Sequence, residues 1–137
     1  MVERYSNEQT TLNSGELPKA TLTNGRVRLR RATITMAEQA INDTIVLCNA
    51  EKGEVFAYGM INASVTAGST ATIEVGVSGD TAKYRAAATK TTTAPELFGK
   101  AGSQVALTTN EKIIATVKAA ALPSSGTLVI DMYFTVV

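Results

Sequence analysis

The sequence predicts an all-β fold, a β-sandwich of about seven or eight strands with jelly-roll order as one option, preceded by an extended N-terminal arm. Three observations predict it. Apolar residues recur at every second position in several stretches, which is the period of a half-buried strand. Thr, Val, Ile and Gly dominate those stretches, and nothing repeats at three or four residues as a helix requires. Clusters of Gly, Ser, Asn and Pro separate them, as turns do.

Residues 1–25 are polar and aperiodic, with Leu12, Leu17 and Leu22 too widely spaced for one face and Pro18 interrupting any helix. They are expected to form an extended arm, ordered only where something holds it and cleaved by protease unless a partner protects it. Residues 26–137 form the sandwich domain. Arg26-Val27-Arg28-Leu29-Arg30 alternates basic with apolar, as an edge or half-exposed strand does. The alternation changes phase at Arg31-Ala32-Thr33-Ile34-Thr35-Met36, which predicts a bulge or strand boundary near Arg30 and Arg31. A polar connection, residues 37–43, leads to a strand at 44–48, and the turn 49–53 places Gly53 where a positive φ is needed.

Residues 54–78 are expected to form the central hairpin. Val55, Ala57, Gly59, Ile61, Ala63 and Val65 make one small apolar face, with Phe56, Tyr58 and Met60 opposite. After the break at Ala67-Gly68-Ser69, Ala71, Ile73, Val75 and Val77 make another. Gly79-Asp80-Thr81 is a turn. Residues 82–103, with three consecutive alanines and a Thr-rich run, are expected to be a loop excursion with a short irregular element, Leu97 and Phe98 plugging the core. A strand is expected at Gln104–Thr109, another at Lys112–Ala119 with Ile113, Ala115 and Val117 on one face, and a last one from Thr127. There Leu128, Ile130, Met132, Phe134 and Val136 point one way, with Val129, Asp131, Tyr133, Thr135 and Val137 opposite.

Composition narrows the function. The chain has 137 residues and a net charge of +1, which argues against bulk electrostatic capture of nucleic acid. Charged residues are 18% of the chain, against about 25% in typical domains, so much of its surface is neutral or covered by another protein. Aromatics are 5% with no Trp, so a lone protomer has few large side chains to bury and gains from oligomerisation or docking. The one cysteine, Cys48, lies in an apolar run and reads as a small core residue. No stretch reaches the ~18 apolar residues of a membrane span and the start is unlike a signal peptide, so a soluble protein made in the cytoplasm is expected.

The chain has no histidine, which removes the commonest general base and metal ligand. There is no Walker-type phosphate loop. A Glu74–Asp131 pair across facing strands could imitate a glycosidase dyad, though solvated carboxylates on a sheet face are the simpler reading. Calcium at the Asp80 turn lacks the Asp-x-Asp spacing it needs. Tyr58, Tyr84 and Tyr133 could line a sugar platform. No enzyme, cofactor or metal is therefore expected. The candidate partner-binding residues are Arg4 and Tyr5 of the arm, with Arg26, Arg28, Arg30 and Arg31 at its junction with the domain.

Three stretches, ATITMAEQAINDTIVLCNAEKGEVF (32–56), ATIEVGVSGDTAKYRAAAT (71–89) and EKIIATVKAAALPSSGTLVIDMYFTVV (111–137), resemble small proteins encoded among the head genes of tailed bacteriophages. The resemblance covers roughly residues 26–137. It implies a virion structural component, a decoration or cement protein on the capsid exterior. It further implies a β-rich module, commonly a homotrimer, seated where major capsid protein subunits meet, with the arm gripping the shell. The family carries no functional motif to transfer. The alternative is a tail- or fibre-associated module recognising host-surface glycans, with Tyr58 or Tyr84 exposed.

Overall fold

The structure, a computed structural model, describes residues 2–4, 6, 9, 10, 13–16 and 26–136. Eight strands follow in order: β1 Arg28–Thr35, β2 Thr44–Ala50, β3 Glu54–Ala63, β4 Thr72–Val77, β5 Asp80–Thr89, β6 Glu96–Phe98, β7 Glu111–Lys118 and β8 Thr127–Val136. They form two four-stranded antiparallel sheets, β1-β8-β3-β6 and β2-β7-β4-β5, so the expected sandwich is the observed one. The pairs are nested, since β1 lies against β8, β2 against β7, β3 against β6 and β4 against β5.

Period-two alternation builds the core between the sheets. Ile34, Phe56, Ile61, Leu128, Ile130, Met132 and Phe134 face inward from one sheet; Ile73, Val75, Ile113, Ala115 and Val117 meet them from the other. The few aromatics are concentrated at one point. Phe56 meets Tyr84 edge-on at 4.8 Å, Phe134 at 5.8 Å and Phe98 at 6.1 Å. Such ring pairs contribute about 0.5–1.5 kcal/mol each beyond area burial, which offsets the poverty of large side chains. Gly59 lies opposite Phe98, whose ring occupies the space a Cβ would fill.

Several sequence expectations are corrected. The strands within 54–78 are not a hairpin: β3 and β4 belong to different sheets, and residues 64–71 carry the chain between them. Alternation marks each strand but not which sheet it joins. Within β3 a register shift between Phe56 and Tyr58 switches the phase, so Phe56 faces inward while Tyr58 faces out. β1 has no bulge; its pairing with β8 runs unbroken from Arg28 to Thr35. The apparent change of phase arises because Val27 and Leu29 point to solvent, 54% and 47% exposed.

Residues 80–89 are a ten-residue strand rather than part of a loop. Pairing with β4 and the anchoring of Tyr84 and Arg85 override the helical preference of Ala86-Ala87-Ala88. Phe98 is buried as expected but Leu97 is 71% exposed, because the two neighbours on β6 face opposite ways. Gln104–Thr109 makes only a single bridge, Ala106 to Val55. Gly53 does take the positive φ its turn needs, 92°. In the arm, Gln9, Thr10 and Asn13 are helical where extended chain is expected, and the Thr10 N–H donates to the Ser6 carbonyl at 2.9 Å.

Candidate partner-docking surface

Arg28, Arg30 and Arg31 sit on β1, an edge strand as its alternation predicts, with Arg26 two residues before it, and the structure divides the four into two classes. Arg30 sends two N–H groups to the Glu54 carboxylate, at 2.5 and 2.8 Å, and lies over the Phe134 ring, 5.0 Å from its centroid. The Glu54 side chain is 3% exposed and also accepts the Glu51 backbone N–H at 2.8 Å. Burial alone pushes this carboxyl up, but the Arg30 and Glu51 hydrogen bonds outweigh it and hold it below the usual carboxylate range. Arg31 faces the opposite side of the sheet and grips Asp131 with bonds of 2.8 and 2.9 Å. Both guanidiniums are thus engaged within the fold.

Arg26 and Arg28 are different. Both are exposed, and neither forms an ion pair among the described residues. Arg4 is exposed in the arm, and Tyr5 lies outside the described residues. The six candidate residues therefore do not form one cluster.

The outer face of the β1-β8-β3-β6 sheet carries features that the sequence reading missed. Leu29, Tyr133 and Tyr58 lie side by side across β1, β8 and β3. The two tyrosine rings stack at 4.5 Å with an interplanar angle of 14°. The next row is Arg31, Asp131, Met60 and Leu97, so one satisfied ion pair sits beside apolar side chains. The other sheet's outer face is more polar. Thr44, Thr116 and Glu74 form one row there, Lys112 pairs with Asn49 and Lys118 with Thr72, while Val46, Ile114 and Gly76 make its apolar row. A signal did exist: Val27 and Leu29 alternate with arginines, and the last inward residues of β8 leave Tyr133 facing outward.

The catalytic and sugar-binding arrangements weighed from the sequence are not assembled. Glu74 and Asp131 stand on different sheets, each on the outward side. Thr81 donates to Glu74 at 2.6 Å and Arg31 holds Asp131, so they form no dyad. Tyr84 is fully buried and its hydroxyl donates to Glu111 at 2.6 Å; burial first, then Glu111, pushes the phenol far above its ordinary range. The three tyrosines therefore line no common platform, since only Tyr58 and Tyr133 share a face. Asp80, Lys83, Lys100, Gly102 and Ser103 line a cavity of about 310 Å³, where Lys83 is committed to Glu111. No group of three or more His, Cys, Asp or Glu side chains converges among the described residues. Cys48 is half-buried against the core, and burial pushes its thiol up.

No protein-family model and no curated protein matches the chain. Solved structures do. The fold is similar to a chain in the cyanophage Pam1 capsid asymmetric unit, with TM-score 0.66 and 19% identity over 82% of this chain and 86% of that one. It is similar to a chain in the capsid of Ralstonia phage GP4, with TM-score 0.67 and 16% identity over 82% and 85%. A chain in the acid-stable capsid of Helicobacter pylori bacteriophage KHP30 gives TM-score 0.54 and 15% identity over 80% and 87%. At these identities the likeness is one of fold: the chain is a two-sheet β-sandwich of a kind found in the capsid structures of three bacteriophages.

Proposed function

We propose that this protein is a structural component of a tailed-bacteriophage virion, a decoration or cement protein that binds the outside of the capsid and stabilises it by bridging subunits. The observation that carries the reading is the fold shared, over about four-fifths of the chain, with chains from three phage capsid structures. We read its nested strand pairs as jelly-roll order. The partner is the major capsid protein, the free form a homotrimer, and the arm, residues 1–25, an added grip on the shell. Arg4, Tyr5, Arg26 and Arg28 are its contact residues, while Arg30 and Arg31 act by shaping the edge that presents them.

The physics favours such a role. A shell offers many equivalent sites, so a modest affinity per copy, repeated across subunit junctions, adds up to substantial stabilisation. A chain with only 18% charged residues suits broad contact with a protein lattice better than long-range capture.

The test is localisation on virions by immunogold labelling or particle reconstruction. Label on the outer shell, together with greater heat lability of particles made without the protein, is the expected result. Slower tryptic cleavage within residues 1–25 on particles than in free protein is expected too. Label confined to the tail would overturn the reading in favour of glycan recognition.

A further inference from the structure

We infer that the protein docks through the outer face of its β1-β8-β3-β6 sheet, and that the partner surface has an apolar centre bordered by carboxylates. The inference rests on the proposed shell-binding role and adds which side of the sandwich makes the contact and what chemistry receives it.

Four observations carry it. First, four exposed apolar side chains gather on this side: Val27 is 54% exposed, Leu29 47%, Tyr58 40% and Leu97 71%, against Val46 at 56% on the outer face of the other sheet. Second, the Tyr58–Tyr133 stack is a rigid aromatic anchor, because each ring fixes the other before any partner arrives. Tyrosine and arginine are the residues most enriched where interface energy concentrates, and a pre-ordered anchor loses little entropy on binding. Third, the one charged pair amid these residues is already satisfied, Arg31 with Asp131 through two bonds. It can be covered without stranding a bare charge.

Fourth, two arginines without an ion pair stand at the β1 edge of this sheet. Arg26 and Arg28 alternate with Val27 and Leu29 along this open edge, Arg28 exposed on the Phe134 side of β1, and neither forms an ion pair among the described residues. Guanidinium forks match carboxylates, so the complementary rim is acidic. Nucleic acid is disfavoured as the occupant, since two arginines beside an apolar face give no phosphate-tracking stripe.

The area is adequate. Strands of 8, 10, 10 and 3 residues, at about 3.3 Å per residue and about 4.8 Å apart, give a face of roughly 500 Å² in projection. Side-chain relief brings that toward the ~800 Å² per partner of a standard interface. One face is enough, and the more polar opposite sheet can remain in water.

The experiment measures co-sedimentation of the full chain with shells purified without it, in low and high salt. Leu29→Glu and Leu97→Glu place a charge on the docking face, and Arg28→Glu reverses the border. Val46→Glu, at a position 56% exposed on the opposite sheet, and Lys112→Glu are the controls. Urea unfolding of each variant checks that it is folded. Leu29→Glu and Leu97→Glu should each weaken binding by about tenfold or more. Arg28→Glu should weaken binding and flatten its salt dependence, Arg28→Lys should retain most of both, and the controls should bind as wild type.

If wild type binds and the face variants bind equally well, the inference fails while the shell-binding role stands. If the controls lose binding instead, the opposite sheet is the docking face. If Leu29→Glu dissociates an oligomer of the free protein and leaves shell binding unchanged, the face belongs to a second copy, which also overturns the inference. Failure of wild type to bind removes the role itself.

Discussion

Replacing Arg30 with Met should destabilise the fold by about 3 kcal/mol, whereas the same change at Arg28 should cost under about 0.5 kcal/mol. The contrast follows from what each guanidinium touches. The Glu54 side chain is 3% exposed and takes bonds of 2.5 and 2.8 Å from Arg30 and one of 2.8 Å from the Glu51 N–H. Without Arg30 it keeps the backbone donor and loses two charge-assisted bonds. Breaking a fully buried pair costs about 3–5 kcal/mol; the Arg30 side chain is 22% exposed, so water relieves part of the loss and the lower end applies. Met keeps an apolar stem near the Phe134 ring but forfeits the cation–ring attraction, about 0.5–1 kcal/mol at a partly exposed site.

Urea unfolding followed by far-UV circular dichroism measures these values. A cycle with Glu54→Gln should give a coupling of about 2 kcal/mol. Acid adds a second reading. The Glu54 carboxyl is depressed in the fold, so its stabilisation is complete above the unfolded value of about 4.3 and is lost as pH falls through the lower folded value. Wild type should therefore lose stability below about pH 4.3 by an increment that Glu54→Gln lacks. A coupling below about 0.5 kcal/mol, or an equal cost at Arg28, would refute the division of the arginines into structural and free.

Gly76→Ala should be costlier than Gly59→Ala, about 3 against about 1 kcal/mol in urea unfolding. A Cβ at Gly76 would meet the backbone of Asp80 and Thr81, while the atoms nearest one at Gly59 belong to the Phe98 side chain, which yields more readily than backbone. Tyr84 should resist ionisation until the chain unfolds. Its phenol is raised in the fold, so its contribution is complete below the unfolded value of about 10 and declines as pH rises beyond it. Tyr84→Phe should accordingly flatten the alkaline loss of stability, and an unchanged profile would count against this. Lys90→Met should cost about 2–3 kcal/mol and speed proteolysis within residues 91–95, because the fully buried ammonium donates to the Thr92 and Ala94 carbonyls at 2.6 and 2.5 Å. Unchanged proteolysis would show that the loop is held by other means.

The sequence carried the strands well and their partnership poorly. β4 and β8 were legible because each turns mainly one face to the core, and a period of two writes that directly into residue order. β7, buried on both faces from Ile113 to Val117, was legible because Ile113, Ala115 and Val117 still alternate with Lys112, Thr116 and Lys118. β5 was not, because an edge strand exposing Ala86, Ala87 and Ala88 has almost no burial to write. The separation of β3 from β4 was hidden because both ends of the connection look like turns whether the chain reverses within a sheet or crosses to the other. At the surface, the arginines announced themselves by charge, but their division did not. Glu54 lies 24 positions from Arg30, and Asp131 lies 100 from Arg31. The Tyr58–Tyr133 stack was equally remote, and the register shift after Phe56 concealed which way Tyr58 points.

The position of β8 between β1 and β3 has a consequence for the order of events during synthesis. A nascent chain that has reached only residue 126 holds two sides of this sheet with nothing to join them, and the tyrosine stack lacks its second ring. The sheet's outer face is complete only when β8 slides into the gap. That pairing is non-local, so the sheet closes slowly compared with one built from neighbouring strands.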